Sequence, residues 1–259
     1  MLQHMNKANI LLIQFRSKQV TADLEQTSIA RELGDRVLVS AISALDQHTA
    51  WTVPDKMLAH VSGVIFGGSG DYDFDGGRSN DDDARVTSYA LLEKLRPLLD
   101  YIFDNDVPTL GICYGHQIIG AYAGATVVND MTQKKSRSHA VAVVVDKDAY
   151  SICANVPDTF YAHYGHKDSL DRVPEGAVLL MQGGEACKVS ALCYKQNIFT
   201  TQFHPELTLD DMRLRMEATP GYLPEGVNLE EVFISDSSSN TILKNFGAFV
   251  QTSIKTTAN

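Results

Sequence analysis

Thr109-Leu110-Gly111-Ile112-Cys113-Tyr114-Gly115-His116-Gln117 is the stretch on which the reading of this 259-residue chain turns. Residues 109–112 read as a short buried strand and 115–123 as a helix, so the cysteine stands at a strand-to-helix turn. Glycines two places before and two places after it permit a sharp, strained bend that lifts a side chain out of the chain. This is the elbow of G-x-S-x-G hydrolases with sulfur in place of oxygen. A helix N-terminus adds backbone N–H groups and a dipole that favour thiolate. Cys113 is therefore a candidate nucleophile; the alternative is a small buried hydrophobe, as most cysteines are.

Around this turn, short β-branched runs alternate with helical stretches. Strands are expected at residues 10–14, 36–40, 61–66, 109–112, 140–145, 160–164, 178–182, 188–194 and 198–202. Helices are expected at 22–33, at 83–95 continuing loosely past Pro97, and at 115–123, 209–217 and 240–253. Several strands are apolar throughout, as strands buried on both faces are. The pattern is that of an α/β fold with a mostly parallel sheet covered by helices. From about residue 140 the strands crowd together with short turns, which predicts antiparallel pairing there. With no repeat, low-complexity tract or linker, residues 1–259 read as one domain. The Gly- and Asp-rich loop at 71–83 is either a lid or a solvated insertion, and 220–226 is a turn-rich connection.

Bulk properties narrow the function. A hydrophobic content of 44% supports a full core. A net charge of −10 speaks against nucleic acid or an anionic membrane as main partner. The densest basic stretch, 134–137, reads as a solvated turn. The early apolar run at 10–13 is far shorter than a signal h-region or a membrane span, and reads as the first core strand. Cys113, Cys153, Cys187 and Cys193 lack CxxC spacing and are too few for a disulfide scaffold, which fits a reducing cytoplasm.

Two further motifs complete a candidate site. The strand at 198–202 runs into Phe203-His204-Pro205-Glu206. In extended chain, residues two apart point the same way, so Glu206 can reach the His204 imidazole, while Pro205 fixes the intervening φ. A carboxylate on one ring nitrogen orients the other toward a thiol, the logic of an oriented base beside a nucleophile. The order Cys, His, Glu, with the last two nearly adjacent, differs from the nucleophile–acid–histidine order of α/β-hydrolases. The second motif is Val64-Ile65-Phe66-Gly67-Gly68-Ser69-Gly70, a strand ending in a Gly-rich turn. It lacks the Lys-Ser/Thr ending of a P-loop and the spacing of a dinucleotide fingerprint. Beside a cysteine nucleophile it reads as an oxyanion hole shared by the N–H groups of Gly68 and Tyr114, or else as a plain tight turn. His163, His166 and His204 have no acidic or Cys ligand at matching spacing, so neither a metal nor another cofactor is expected.

At these residues the chain resembles the class I glutamine amidotransferase family. The elbow 111–117 and the 202–206 segment look like its two signature blocks, and the likeness covers roughly residues 10 to 207. It is closest to the stand-alone members similar to the glutaminase domain of GMP synthase, a set that includes γ-glutamyl peptidases. The resemblance implies a flavodoxin-like, doubly wound sheet with a small antiparallel extension, a core of about 8–207 and a C-terminal helical extension at 208–259. It also implies a triad of Cys113, His204 and Glu206. The block Gly165-His166-Lys167-Asp168 resembles the family's His-x-Asp segment, which makes His166 and Asp168 substrate-binding candidates, with Asp168 on the α-amino group. Gln117 is carried over as a contact to bound glutamine. The family's Arg-Glu-Tyr/Phe-Gly segment appears only as Ser136-Arg137-Ser138-His139. That departure leaves the substrate open between glutamine and a γ-glutamyl peptide or conjugate. The partner is then a small molecule alone, or also a separate synthase subunit that receives ammonia; a silent binding protein on the same fold is the third reading.

Overall fold

Alternation along β1 (Ala8–Gln14) shows how the layers assemble. Ile10 and Leu12 point to one face of the sheet, where they pack with Ile29 and Leu33 of α1 (Gln19–Leu33). Leu11 and Ile13 point to the other and pack with residues of two later helices. A strand buried on both faces has helices above and below it, and this one does.

The computed structural model describes residues 7–133, 136–218, 223 and 227–257. After β1 come β2 (Val37–Ser43), α2 (Pro54–Met57), β3 (Gly63–Phe66), α3 (Asp83–Asn105), β4 (Thr109–Ile112) and α4 (Tyr114–Tyr122). Then follow β5 (Val127–Val128), β6 (Arg137–Val143), β7 (Thr159–Tyr164), β8 (Ser169–Leu170), β9 (Ala177–Gln182), β10 (Ala191–Tyr194) and β11 (Ile198–Thr201). The chain continues through α5 (Leu209–Ala218), α6 (Leu229–Val232) and α7 (Asn240–Thr257). The main sheet has the order β2-β1-β3-β4-β11-β10-β9-β6-β7, with β2 to β11 parallel and β10 onward antiparallel. The antiparallel extension therefore continues the same sheet. Helices α1 and α7 cover one face, α3 and α4 the other, which is the doubly wound arrangement expected. A small third cluster of Leu207, Met212, Leu223, Leu229 and Phe233 packs the extension on itself.

Three departures from expectation have simple causes. Helix α3 runs unbroken through Pro97 to Asn105. Six buried apolar side chains, Leu91, Leu92, Leu95, Leu98, Leu99 and Ile102, hold it to the sheet. At ~2 kcal/mol each they outweigh the ~3 kcal/mol that an internal proline costs. Strand β10 starts at Ala191 because a 3₁₀ turn occupies Gly184–Ala186 and the ladder shifts register at Ala191/Leu192. The two-residue pair β5 and β8, and the single-turn helices α2 and α6, are too short to carry a period. Residues 134–135 of the basic stretch, and the 220–226 connection apart from Leu223, lie outside the described residues. No described helix is long and apolar enough to cross a membrane.

The topology decides where chemistry collects. β4 lies between β3 and β11, with Phe66 level with Gly111 and Thr201 level with Ile112. Residues just beyond those pairs, Gly67-Gly68, Cys113 and Phe203-His204, leave the carboxyl ends of three neighbouring parallel strands. Ligands of open α/β sheets bind at that edge.

Candidate active site

The elbow is the most tightly determined part of the site. Cys113 has φ 54° and ψ −97°, a left-handed conformation that a non-glycine residue rarely adopts. Its N–H donates to Thr201 O at 2.7 Å, which pins the turn to β11. The flanking glycines do not themselves take positive φ. They give clearance instead. A Cβ on Gly111 would lie 2.8 Å from the Gly115 carbonyl oxygen, and one on Gly115 only 2.2 Å from the Phe66 carbonyl oxygen. The bend is carried by the cysteine, and the glycines let α4 come down onto β3 and β4.

Opposite the sulfur, His204 and Glu206 extend from β11. His204 N–H donates to His163 O at 2.9 Å, and His204 Nδ1 lies 2.8 Å from Glu206 Oε1. Both side chains are almost wholly buried. Burial disfavours the imidazolium, but the charges of Glu206 and Cys113, with hydrogen bonds to both, outweigh it and raise His204 to about 9. For Glu206, burial is likewise outweighed, by His204 first and then by Arg215, and the carboxyl falls to about 2. The neighbouring His163 moves the other way, to about 4, through burial and then the charge of His204. The pair is thus set as imidazolium and carboxylate, with Cys113 beside it. Gln202 Nε2 lies 3.7 Å from the Cys113 sulfur.

Sequence reasoning missed Arg215. From α5 it reaches the same Glu206 Oε1 at 3.0 Å. Arg31 donates to the Glu206 carbonyl oxygen at 3.1 Å and pairs with Asp211. The readable signal was a helix starting directly after the His-x-Glu segment with charges at Asp211 and Arg215, four apart and so on one face.

The two expected oxyanion donors differ from one another. Tyr114 N–H, at the first turn of α4, has no acceptor among the described residues. Gly68 N–H does have one: it donates to Glu25 Oε1 at 2.9 Å. Glu25 is buried and paired with Arg16 at 2.7 Å, and Gly67 O accepts from Gly115 N–H at 3.0 Å. Both ends of the Gly67–Gly68 peptide are therefore held, and the Gly68 donor expected to face the substrate is engaged by a carboxylate. It is nevertheless in the right neighbourhood, since a Cβ on Gly68 would lie 3.2 Å from His204 Cε1.

A cavity of about 720 Å³ opens on Cys113 and Tyr114, and Gln117, His166 and Asp168 line it. Asp168, expected on a substrate amino group, here anchors a loop. Its two oxygens accept from Asp75 N–H at 2.8 Å and Gly76 N–H at 2.7 Å. Gln117 Nε2 donates to Asp168 O at 2.8 Å. His166 is buried against Tyr164, with ring centroids 5.3 Å apart. The 71–83 loop is tied down further by Asp73, which pairs with Arg78 at 2.9 Å and Lys167 at 3.2 Å. With Tyr72 and Asp73 it forms one wall of the cavity. Ser136 and Arg137, from the segment that departs from the family pattern, line it as well, as do Leu223 and Val232 of the extension.

Comparison with known proteins bears on the family and the fold. The family model for glutamine amidotransferase class-I matches residues 28–219. A glutamine-hydrolysing GMP synthase subunit from Methanocaldococcus jannaschii is 36% identical over 119 residues, 45% of this chain and 60% of that protein. Its namesake in Thermoplasma volcanium is 31% identical over 117 residues, 45% of this chain and 55% of that protein. The matched segment thus spans little more than half the length of these curated relatives. A glutamine amidotransferase structure from Thermotoga maritima superposes with a TM-score of 0.67 at 16% identity, over 94% of this chain and 98% of that one. One from Methylobacillus flagellatus gives 0.62 at 15%, over 94% and 93%. At such identities the structures attest the fold.

Proposed function

This chain belongs to the class-I glutamine amidotransferase family, and from that premise we propose that it hydrolyses a γ-glutamyl amide through a γ-glutamyl thioester on Cys113. The observation that carries the proposal is the line Cys113, His204, Glu206, in which Cys113 borders the cavity and the imidazole behind it is raised to about 9 by the two groups on either side of it. An imidazole held this basic draws the thiol proton. The sulfur attacks the γ-carbonyl, His204 returns the proton to the departing nitrogen, and water, with His204 again as base, releases glutamate. Glu206 stays ionised throughout and steadies the imidazolium.

Tyr114 N–H and Gly68 N–H are the oxyanion donors in this reading. Tyr114 is free to act, and Gly68 acts once its bond to Glu25 gives way. Loss of one such donor typically costs ~10²–10³ in turnover, so the Gly68–Glu25 bond bears directly on rate. Gln117, His166 and Asp168 form the floor for the γ-glutamyl group. At about 720 Å³ the cavity has room for a peptide or conjugate in the leaving position. That size favours a γ-glutamyl peptidase or related hydrolase working alone in the cytoplasm. The second reading, a glutaminase that passes ammonia to a separate synthase, is favoured by the names of the archaeal relatives.

Purified chain supplied with glutamine and a panel of γ-glutamyl peptides, with glutamate and ammonia measured, separates the two. The first reading expects at least one peptide to be turned over as well as glutamine. Activity on none of them until a synthase is added would establish the second instead.

A further inference from the structure

The residues after Glu206 read from sequence as helices that pack on the core, yet α5 returns a guanidinium to the triad. Glu206 Oε1 accepts from Arg215 at 3.0 Å while sitting 2.8 Å from His204 Nδ1. Glu206 is 1% exposed and the Arg215 side chain 13%. Among the described residues Arg215 pairs with no other acid, and Glu206 Oε2 has no hydrogen-bond partner. One oxygen therefore orients the imidazole, and Arg215 is the side chain that fixes that oxygen from behind.

Resting on the hydrolase reading above, we infer that Arg215 is a positioning residue, which locks the Glu206 carboxylate on His204 and shares its charge so that the Cys113–His204 pair is poised nearer neutral pH. A carboxylate shared with a cation pulls less hard on the imidazolium than an unshared one. A cation beside the pair also favours loss of a proton from both members. Removing it moves the titration of thiol and imidazole together to higher pH. A packing role alone predicts no such movement.

The other charged and titratable groups near the pair come from every surrounding element. They are Arg16 just after β1, Glu25 and Arg31 on α1, His163 on β7, Asp211 on α5 and Asp236 ahead of α7. All are retained in an Arg215 variant, so a shift is attributable to the guanidinium.

The test uses the full chain and does not require the natural substrate. The rate at which chloroacetamide alkylates Cys113 is followed against pH for wild type, Arg215→Met, Arg215→Gln and Arg215→Lys, with circular dichroism as the fold control. In the Met and Gln variants both limbs of the profile are expected to move up by ~0.5–1 pH unit. Arg215→Lys, which keeps the charge, is expected to restore the wild-type profile. Guanidinium ion at millimolar concentration is expected to rescue the Met variant in part. Turnover on any accepted γ-glutamyl substrate is expected to fall ~10-fold with Met and to recover partly with Lys. Profiles in the Met and Gln variants that superimpose on wild type overturn the inference, as does a Lys variant that shifts as far as Met. If the Met and Gln variants unfold, an unshifted Lys profile supports the inference and a shifted one overturns it. Wild type that alkylates normally yet hydrolyses no γ-glutamyl compound counts against the functional reading alone.

Discussion

Two walls of the site are held in place by different forces. The elbow wall is built from backbone. Cys113 N–H is bonded to Thr201, Gly115 N–H to Gly67, and the glycines admit α4 to within van der Waals contact of two strands. The other wall is built from side-chain charge. Glu25 holds Gly68 and Arg16, Asp168 holds the backbone of Asp75 and Gly76, and Asp73 holds Arg78 and Lys167. Close-packed backbone has few alternative arrangements. The Asp73 pairs with Arg78 and Lys167 are partly exposed, where water and ligands compete for the partners, whereas the Arg16–Glu25 pair is buried. Cys113 is thereby fixed by backbone, whereas the Gly67–Gly68 strand end and the 71–83 loop are held by side-chain contacts.

The sharpest way to break the rigid wall is Gly115→Ala. With the Phe66 oxygen 2.2 Å from the new methyl group, α4 must move off the sheet. We expect loss of most soluble folded protein, or a melting temperature lower by more than ~10 °C; a normal melt would show that the clearance is not needed. Cys113→Ala tests the chemistry of the same wall. Turnover should fall by at least ~10⁴ while the melt stays close to wild type, and retained activity with labelling at Cys153, Cys187 or Cys193 would contradict it.

Glu25→Ala addresses the other wall. Gly68 N–H is released and Arg16 loses its partner, so stability should drop by ~3 kcal/mol while kcat rises several-fold. If kcat falls instead, Glu25 supports the active strand and does not restrain it. Smaller still is Asp168→Asn, which weakens the loop anchor. KM should rise a few-fold with little change in kcat, and an unchanged KM would remove the loop from substrate binding.

The smallest effect concerns the charges where the two walls meet. His204, raised from 6.5 to about 9, stabilises the fold fully below about pH 6.5, and that contribution is lost as pH climbs through 9. Glu206, lowered from 4.5 to about 2, stabilises above about pH 4.5, and its contribution is lost as pH falls toward 2. The melting advantage of wild type over a His204→Gln, Glu206→Gln double variant should therefore be greatest between about pH 4.5 and 6.5 and fall away on either side. A difference that stays constant from acid to alkaline pH would count against the ion pair.

Much of this was legible in the chain itself. Runs of Val, Ile and Leu gave the strands, because burial on both faces leaves no polar positions to interrupt them, and β4 appeared at its observed bounds. The Cys113 elbow and the His204–Pro205–Glu206 segment are local patterns, so their residue types and spacing sufficed. Tertiary structure decided what depends on meetings between distant elements. It brought three strand ends together at one edge, turned the elbow glycines into clearances and bound Gly68 N–H to Glu25, 43 residues away. It also committed Asp168 to the 71–83 loop and carried Arg215 back to Glu206. A hydrogen-bond donor or a charge has the same letter in the sequence whether it meets water, a substrate or a buried carboxylate. Which of these it meets is fixed only when the sheet order places the elements side by side.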